Sequence, residues 1–333
     1  MSTSRQREVE AGGITPDEAF AILGDKTRLD IIRALWHFGA HHSYDDVFET
    51  DSSVSFSELR RAVDIRDNGQ FNYHLSRLMP HFVRQTDEGY RLSGAGKILA
   101  RTVISIAGEG EFEVRDGIST TCPMCDAPVI ATYEDQWLRF TCTACEGAFG
   151  ETAPEGTFYA SEFPAGGLAD RTADEAYEVG FHRCMLDLLY LMRGICRECA
   201  GPITTELTVC DDHDVAGSFC EVCGLLEEAW IEHRCETCRF AKCLPIEFCV
   251  LGLTPVISYF ERRDIDVLAP SVVEVESAIE EHVRLHVTTE PRRVTVTLGD
   301  EMDGLKITFD GEANLIECTV FDDGPNEQTF QTA

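Results

Sequence analysis

Five Cys-x-x-Cys pairs between residues 122 and 238 constrain the fold of this chain more than any other feature of its sequence. They use ten of the 15 cysteines in a chain of 333 residues. A cysteine pair at this spacing forms one half of a tetrahedral zinc site, whereas disulfides are rare in the reducing cytosol. This part of the chain is therefore predicted to fold around zinc ions rather than around large hydrophobic cores.

The first two pairs are separated by 16 residues that are predicted to form a strand (128–133), a turn and a return strand (137–141). Such a hairpin brings both pairs together, so that four thiolates close around one Zn²⁺. The alternative, reduced cysteines without a metal, leaves the repeated spacing unexplained. We expect a zinc ribbon over residues 119–150, and its ligands are Cys122, Cys125, Cys142 and Cys145.

Residues 195–250 carry eight further candidate ligands, enough for two more ions and three in all. These ligands are Cys196, Cys199, Cys210, His213, Cys220, Cys223, Cys235 and Cys238. The four pairs can join sequentially, or cross so that the first joins the third and the second joins the fourth. We prefer crossing because strands predicted over 203–209, 216–219 and 225–233 would alternate in direction. His213 is the weakest ligand, since an exposed loop histidine is the alternative.

All three predicted sites have complete protein ligand sets and are therefore expected to be structural, because a catalytic zinc keeps one position open. Four other cysteines lack a paired pattern: Cys184, Cys243, Cys249 and Cys318. We expect Cys184, Cys243 and Cys249 to pack as small hydrophobic side chains, although Cys243 and Cys249 could replace a ligand.

Residues 15–106 are predicted to form several short helices, a hairpin and a closing helix. Thr15 and Pro16 suit the cap and first turn of a helix. Apolar side chains at helical spacing predict the buried faces of three helices, namely Ala19, Phe20 and Leu23; Leu29, Ile32 and Leu35; and Phe71, Leu75 and Leu78. The predicted hairpin covers residues 81–92, and the closing helix covers residues 93–106.

The segments Leu23 to Leu35, Phe56 to Leu59 and Asn72 to Leu78, in this order, resemble ArsR-type winged helix-turn-helix regulators. The resemblance covers about a third of the chain and implies binding of double-stranded DNA. It extends to haloarchaeal winged-helix proteins that carry zinc-ribbon modules at the C-terminal side. In a winged helix, the second helix of the helix-turn-helix lies in the major groove and the hairpin contacts the flanking backbone. The alternative is a winged helix that serves only protein contacts.

The helix over residues 70–78 is then expected to present polar side chains to base edges, and nearby arginines are expected to contact phosphates. The candidate DNA-binding residues are Arg60, Arg61, Arg66, Asn68, Gln70, Asn72, Tyr73, His74, Arg77, Arg84 and Arg91. His37, His41 and His42 raise the alternative of metal sensing in this domain. We regard them as solvated surface residues, because the Cys-Val-Cys motif of some ArsR-type sensors is absent.

The chain is strongly acidic, with a net charge of −31 from 59 acidic and 28 basic residues. Only four of the basic residues are lysines, an acid-rich and lysine-poor composition similar to that of salt-adapted archaeal proteins. The alternative is an acidic protein without salt adaptation. Residues 15–100 hold 13 acidic and 10 basic residues, so the candidate DNA-binding domain carries little of the negative charge.

We expect an α+β multidomain protein: an N-terminal winged helix-turn-helix (15–106), zinc-ribbon modules (119–150 and 195–250), a connecting amphipathic helix (170–194) and a small C-terminal antiparallel β region (282–322). Linkers are predicted over 107–121 and 151–170, and a frayed tail after Asp322. The predicted C-terminal strands are 283–287, 293–297, 305–309 and 315–321. Because no run of 18 apolar residues and no signal peptide occurs, we expect a cytoplasmic protein without membrane contact.

Three functions follow from these features. The first is a sequence-specific regulator that binds double-stranded DNA as a homodimer, through the closing helix, the helix over 172–194, or both. The second is an adaptor whose zinc ribbons dock onto the transcription machinery. The third, a metal-dependent enzyme, is disfavoured because the sequence has no His-Glu-x-x-His motif, nucleophile motif or phosphate-binding glycine loop.

Overall fold

The computed structural model describes residues 14–39, 53–79, 81–107, 112–114, 117–150, 153–214, 219–268, 272–300, 303–321 and 328–330. The chain divides into two compact units, residues 1–108 and 109–333, and mixes helices with several small antiparallel sheets. Its helices are α1 (Pro16–Leu23), α2 (Lys26–Gly39), α3 (Phe56–Ala62), α4 (Asn68–Leu78), α5 (Gly94–Ile106), α6 (Ala173–Leu191), α7 (Ile246–Cys249), α8 (Thr254–Glu261) and α9 (Val272–His282).

The strands within the described residues belong to four sheets. In the first unit β1 (Val83–Gln85) pairs with β2 (Tyr90–Leu92). A four-stranded sheet joins β3 (Phe112–Val114), β4 (Val129–Glu134), β5 (Trp137–Cys142) and β6 (Thr157–Glu162), and a three-stranded sheet joins β7 (Ile203–Val209), β8 (Ala229–Cys235) and β9 (Ala241–Pro245). The C-terminal sheet has the order β10 (Val283–Thr289), β11 (Arg292–Gly299), β12 (Gly304–Asp310), β13 (Leu315–Phe321) and β14 (Gln328–Phe330).

Capping side chains fix the helix starts of the first unit. The Thr15 hydroxyl accepts a hydrogen bond from the Glu18 backbone N–H (3.3 Å), and the Glu18 carboxylate accepts one from the Thr15 N–H (3.0 Å). Ser55 and Glu58 repeat this reciprocal arrangement at α3. The two caps satisfy backbone donors that would otherwise lack a partner, so the sequence prediction of the first helix start is confirmed.

The core of the first unit lies between α2, α3, α4, α5 and the hairpin. Its fully buried side chains include Ile31, Leu59, Phe71, Leu75 and Leu78. Two predicted core positions were wrong, since Phe20 is 75% exposed and Leu29 is 38% exposed. The reason at α2 is that the buried stripe runs through residues 31, 32 and 35, which leaves Leu29 at its edge.

The predicted linker over 151–170 was wrong, because it contains β6. Phe158, Tyr159 and Phe163 are buried there, and β6 pairs with β5 in the sheet of the first cysteine set. The linker predicted over 107–121 likewise contains β3, which pairs with β4. In the segment 151–170, the prolines and glycines that suggested a linker mark the turns that flank β6.

Helix α6 lies inside the core of the second unit and does not act as a connecting segment. The centroid of its Tyr177 ring lies 4.6 Å from the centroid of the Phe140 ring and 4.9 Å from that of the Tyr159 ring. Phe181 and Met185 of the same helix are also buried. One hydrophobic cluster extends from Cys122 to Cys318 and includes α6, α8 and the inner face of the C-terminal sheet. The segments predicted as separate modules therefore share one core within residues 109–333.

The four predicted C-terminal strands are present as β10 to β13. The alternation of buried and less buried residues expected for one packed face is clear in β11, whereas β12 is buried along most of its length. The tail after Asp322 is not entirely frayed, since Gln328–Phe330 pairs with β13 as a fifth strand. Among the described residues, no helix has both the length and the apolar character needed to cross a membrane.

Candidate metal centres and nucleic-acid interface

The first cysteine set converges as predicted. The register of β4 and β5 pairs Val129 with Cys142, which places the second Cys-x-x-Cys pair beside the first. The Cys125 and Cys142 sulfurs are 3.5 Å apart, and those of Cys122 and Cys145 are 3.6 Å apart. All four sulfurs lie within 4.8 Å of one another, so this group can hold one metal ion.

The remaining ligands form two groups, but neither the sequential nor the preferred crossed pairing is correct. The outermost pairs join, and so do the innermost pairs, giving the groups Cys196, Cys199, Cys235 and Cys238, and Cys210, His213, Cys220 and Cys223. The sulfurs of Cys199 and Cys235 are 3.5 Å apart. The structure thus contains three four-ligand groups in the part of the chain that it describes.

Direct pairing of β7 with β8 is the physical reason for this nested arrangement. The register places Ile203 opposite Cys235 and Val209 opposite Ala229. The first and fourth pairs therefore meet at one end of the two strands, while the second and third stay in the connection at the other end. The crossed pairing required a return strand before Cys220. The strand predicted over 216–219 falls mostly outside the described residues, and Cys220 itself lies in no strand.

His213 belongs to the third group, as predicted. Its Nδ1 lies 3.5 Å from the Cys223 sulfur, and its Nε2 lies 2.9 Å from the Leu226 carbonyl oxygen. A metal-binding histidine commonly donates its second ring N–H to a carbonyl, which fixes the tautomer and the ring orientation. The geometry therefore suits coordination through Nδ1, with Nε2–H donating to Leu226.

Four of the Cys-x-x-Cys turns share a backbone geometry. The residue after the second cysteine has a positive φ in each, and its N–H donates to the carbonyl of the first cysteine at 2.8 to 3.2 Å. These residues are Asp126, Ala200, Gly224 and Arg239. The turn directs backbone N–H groups at the first sulfur, as where Thr237 and Cys238 donate to Cys235 at 3.4 and 3.5 Å.

Backbone N–H donors lower the pKa of one cysteine in each of the three groups. Hydrogen bonds from Cys238 and Thr237 lower the pKa of Cys235 to about 6, and donors including Asp214 and Cys223 lower that of Cys220 to about 6. Burial opposes ionisation of Cys142, but its backbone donors lower its pKa to about 7. Each group therefore holds a thiolate near neutral pH, the form that binds metal.

The cysteines outside the groups behave differently from one another. Cys249 is fully buried with its sulfur 3.6 Å from the His233 Nε2, so its predicted packing is confirmed. Cys318 is also buried. Cys184 is partly buried in α6. Cys243 is exposed, so its predicted burial was wrong, because it lies on the solvent side of β9. None of the four joins a ligand group among the described residues.

Helix α4 carries six of the predicted DNA-binding residues and presents five of them on one solvent-exposed face. The exposed residues are Asn68, Gln70, Asn72, Tyr73 and Arg77. Phe71, Leu75 and Leu78 lie on the opposite, buried face. An Asp67 carboxylate that accepts the Gln70 N–H (2.6 Å) caps the start of the helix.

His74 was predicted to face outward, and that prediction was wrong. The side chain is buried, and its Nδ1 lies 3.4 Å from the Asp25 Oδ1 at the start of α2. His74 follows Phe71 by three residues and precedes Leu78 by four, so it falls on the same buried face. It therefore links α4 to α2.

The predicted phosphate-contacting arginines divide into two sets. Arg61, Arg66 and Arg84 are exposed. Arg60 is partly buried, and its Nη1 donates to the carbonyl oxygens of Ile65 (3.0 Å) and Arg66 (2.8 Å), so it holds the turn between α3 and α4. Arg91 is partly buried on β2. His37 lies in the last turn of α2, while His41 and His42 lie outside the described residues.

Comparison with known proteins gives two family matches. A family described as a domain of unknown function, DUF7351, matches residues 119–315 and thus more than half of the chain. A second domain of unknown function, DUF7347, matches residues 16–103, within the first compact unit. No curated protein and no solved structure shows a significant match. The chain belongs to the DUF7351 family.

Proposed function

We propose that the first unit is a winged helix-turn-helix that reads double-stranded DNA, and that the protein is a transcription regulator. The observation that carries this proposal is the exposed polar face of α4, formed by Asn68, Gln70, Asn72, Tyr73 and Arg77. A short hairpin follows α4 directly, as a wing would. The proposal also rests on the resemblance of residues 15–105 to ArsR-type regulators.

The chemistry of this face suits base edges. Asparagine and glutamine can form paired hydrogen bonds with adenine, and Arg77 can do so with the N7 and O6 of guanine. Arg61, Arg66 and Arg84 are exposed beside α4 and on the hairpin, where phosphate contacts would fix the register. Arg60 and His74 act indirectly in this proposal, because they hold the helices in position.

The metal in the three groups is proposed to be Zn²⁺. Three or four thiolates, with one imidazole in the third group, favour zinc, and a complete ligand set leaves no open position for a substrate. The ions would then stabilise the second unit. Reduced thiols are required, which fits the cytoplasm.

A homodimer is proposed to form through the outward side of α5. Ile98 is 65% exposed and Ile106 is 52% exposed, eight residues apart on one side of the helix. Two copies of this stripe can pack against each other around a two-fold axis, which would give two half-sites on DNA.

The experiment that tests DNA reading uses the purified, metal-loaded full-length protein and a mixture of genomic duplex fragments in competition with random duplex. We expect enrichment of particular fragments by at least a hundredfold. A variant with Gln70→Ala, Asn72→Ala and Arg77→Ala should lose this enrichment and keep its fold. Equal retention of all duplexes by the unchanged protein would refute the proposal.

A second candidate, an adaptor of the transcription machinery, is favoured by apolar side chains at the tips of two metal-binding turns. Met124 is 45% exposed and Val222 is 68% exposed. In this case polymerase subunits would bind the triple α4 variant as well as the unchanged chain, and substituting Met124→Ser with Val222→Ser would abolish that binding.

A further inference from the structure

Tyr73 lies at the centre of the exposed face of α4, and its side chain is 59% exposed. An α-helix turns by about 100° per residue, so the line opposite the buried side of α4 runs close to Gly69, Tyr73 and Ser76. Tyr73 is the only one of these three residues with a large side chain. It should therefore be the first side chain to meet a surface that approaches the exposed face of α4.

The side chains that can form paired hydrogen bonds with bases lie to the two sides of Tyr73. By the same rotation, Asn72 is displaced from the central line by about 70° on one side. Arg77 and Gln70 are displaced by about 70–90° on the other side. The centre of the face thus offers an aromatic ring, and its flanks offer hydrogen-bonding groups.

Contacts on α4 hold the Tyr73 ring and leave it uncovered. Its centroid lies 5.3 Å from the centroid of the His74 imidazole in an edge-to-face arrangement. The Nδ1 of His74 is itself 3.4 Å from the Asp25 Oδ1. The Ser76 hydroxyl donates to the Tyr73 backbone carbonyl oxygen (2.8 Å), and Gly69 has no side chain. The ring therefore projects between two small residues, and little side-chain freedom remains to be lost on binding.

The major-groove edges of the four base pairs present hydrogen-bond donors and acceptors and one methyl group, the C5 methyl of thymine. An apolar side chain that enters the groove gains free energy by covering this methyl group, because both surfaces leave water. The ring of Tyr73 is the large apolar surface at the centre of the face. Thymine is therefore the base whose major-groove edge suits this position.

We propose that the Tyr73 ring packs against the C5 methyl group of a thymine and thereby selects thymine at one position of the recognised DNA. This inference rests on the proposed DNA reading and names the base at the centre of the same site. It requires the ring but not the phenol hydroxyl, which distinguishes it from a hydrogen bond between Tyr73 and a phosphate.

Uracil lacks only the C5 methyl group of thymine, so thymine-to-uracil replacements test the proposal with the unchanged full-length protein. They are made one at a time in a duplex that the protein has enriched. We expect replacement at one position of each half-site to weaken binding about fourfold, the factor that corresponds to ~0.8 kcal/mol for one buried carbon group. Unchanged affinity at every position would overturn the proposal, as would an enriched duplex without thymine.

Variants of Tyr73 show whether its ring is responsible. Tyr73→Phe should keep the effect of uracil, and Tyr73→Ala should abolish it with little change in Tm, because the side chain is exposed. Tyr190→Ala is the matched control, since Tyr190 is 50% exposed on α6 in the second unit, and it should keep the effect. Sensitivity to uracil that persists in Tyr73→Ala would overturn the proposal. Weaker binding by Tyr73→Phe together with insensitivity to uracil would also overturn it, in favour of a phosphate contact.

The failure of this inference and the failure of the proposed DNA reading give different results. If the unchanged protein enriches no duplex over random duplex, the DNA reading is refuted, and the inference is refuted with it. If particular duplexes are enriched but uracil has no effect on their binding, only the assignment of thymine to Tyr73 is refuted.

Discussion

His213 supplies the single imidazole among the twelve grouped ligands, and its two ring nitrogens face different partners. We expect His213→Ala to reduce the metal content from three ions to two, because three thiolates alone would leave an open coordination position. Native mass spectrometry of the purified protein measures this directly. His286→Ala, at an exposed histidine on β10, should keep all three ions. Three ions in His213→Ala would show that His213 is not a ligand.

Glu247 allows a test of how burial of a single carboxyl group affects stability. Burial raises the pKa of this carboxyl to about 7, and its Oε2 has no hydrogen-bond partner among the described residues. Because the pKa of Glu247 is higher in the folded than in the unfolded protein, its contribution to the free energy of unfolding is complete below about pH 4.5. That contribution is lost as the pH rises through 7. The loss would be about 3 kcal/mol for a shift of this size.

We therefore expect Glu247→Gln to be more stable than the unchanged protein at pH 8, by about 1–3 kcal/mol. The difference should shrink toward pH 5, where Glu247 is protonated. Denaturant unfolding at several pH values checks this. Burial lowers the pKa of His233 to about 4, which weakens the fold as the pH falls below 6.5, but it acts equally in both proteins and cancels. A difference that is independent of pH, or that Glu261→Gln reproduces at an exposed site, would contradict this account.

Substitutions at His74 and at Asn72 are expected to distinguish effects on folding from effects on the proposed DNA binding. His74→Ala should lower the free energy of unfolding by about 1–3 kcal/mol, because it removes a buried side chain that contacts Asp25. Asn72→Ala should leave Tm nearly unchanged and weaken binding to the selected DNA by roughly 5- to 150-fold. Thermal unfolding and DNA titration of both variants check this. If the His74→Ala protein kept its stability but bound DNA more weakly, His74 would belong to the face proposed to contact bases.

At the scale of elements, some turns of the cysteine pairs hold a non-glycine residue in a left-handed backbone conformation, which costs conformational free energy. Ala200 adopts φ of 58°, a left-handed conformation that glycine accepts without strain, and Gly224 fills the same position in another turn. We expect Ala200→Gly to stabilise the protein by about 0.5–1 kcal/mol, measured by chemical unfolding. Ala241→Gly, at an exposed strand position, should destabilise it. Destabilisation by both substitutions would mean that the strain at Ala200 is negligible.

The spacing of the cysteines predicted which residues gather into the three candidate metal-binding groups, but not how the pairs join. The residues that belong to the three groups could be predicted from the local Cys-x-x-Cys pattern, because this pattern does not depend on how the strands are arranged. The joining depends on the register between β7 and β8, a contact between residues about 30 positions apart in the sequence. Period-2 alternation predicted strands over 203–209 and 225–233, yet it carries no information on which strands are neighbours.

Composition gave a wrong prediction where aromatic residues stand among turn residues. The segment 151–170 contains prolines and glycines at its ends, but Phe158, Tyr159 and Phe163 between them fill the core beside α6. The same limit applies to α4, where His74 is polar in type but lies on the apolar face by position. Helical periodicity was the better guide there, since Phe71 and Leu78 already marked the buried side.

At the scale of the whole molecule, the chain combines a first unit without metal ligands among its described residues and a second unit that holds all three groups. The two family matches fall within these two units. The sequence predicted this division and the members of the three candidate metal-binding groups, but not the single core that joins the two cysteine-rich segments to the C-terminal sheet. That core depends on α6, whose buried side was visible only in part from its apolar residues.

The central claim is that α4 reads bases in the major groove. Methylation interference on a duplex selected by the protein tests this most directly, because methylation of guanine N7 blocks the major-groove edge that arginine contacts. We predict that N7 methylation at one or two guanines in each half-site prevents binding, and that Arg77→Ala loses sensitivity at one of them. Binding that tolerates N7 methylation at every guanine would contradict the claim.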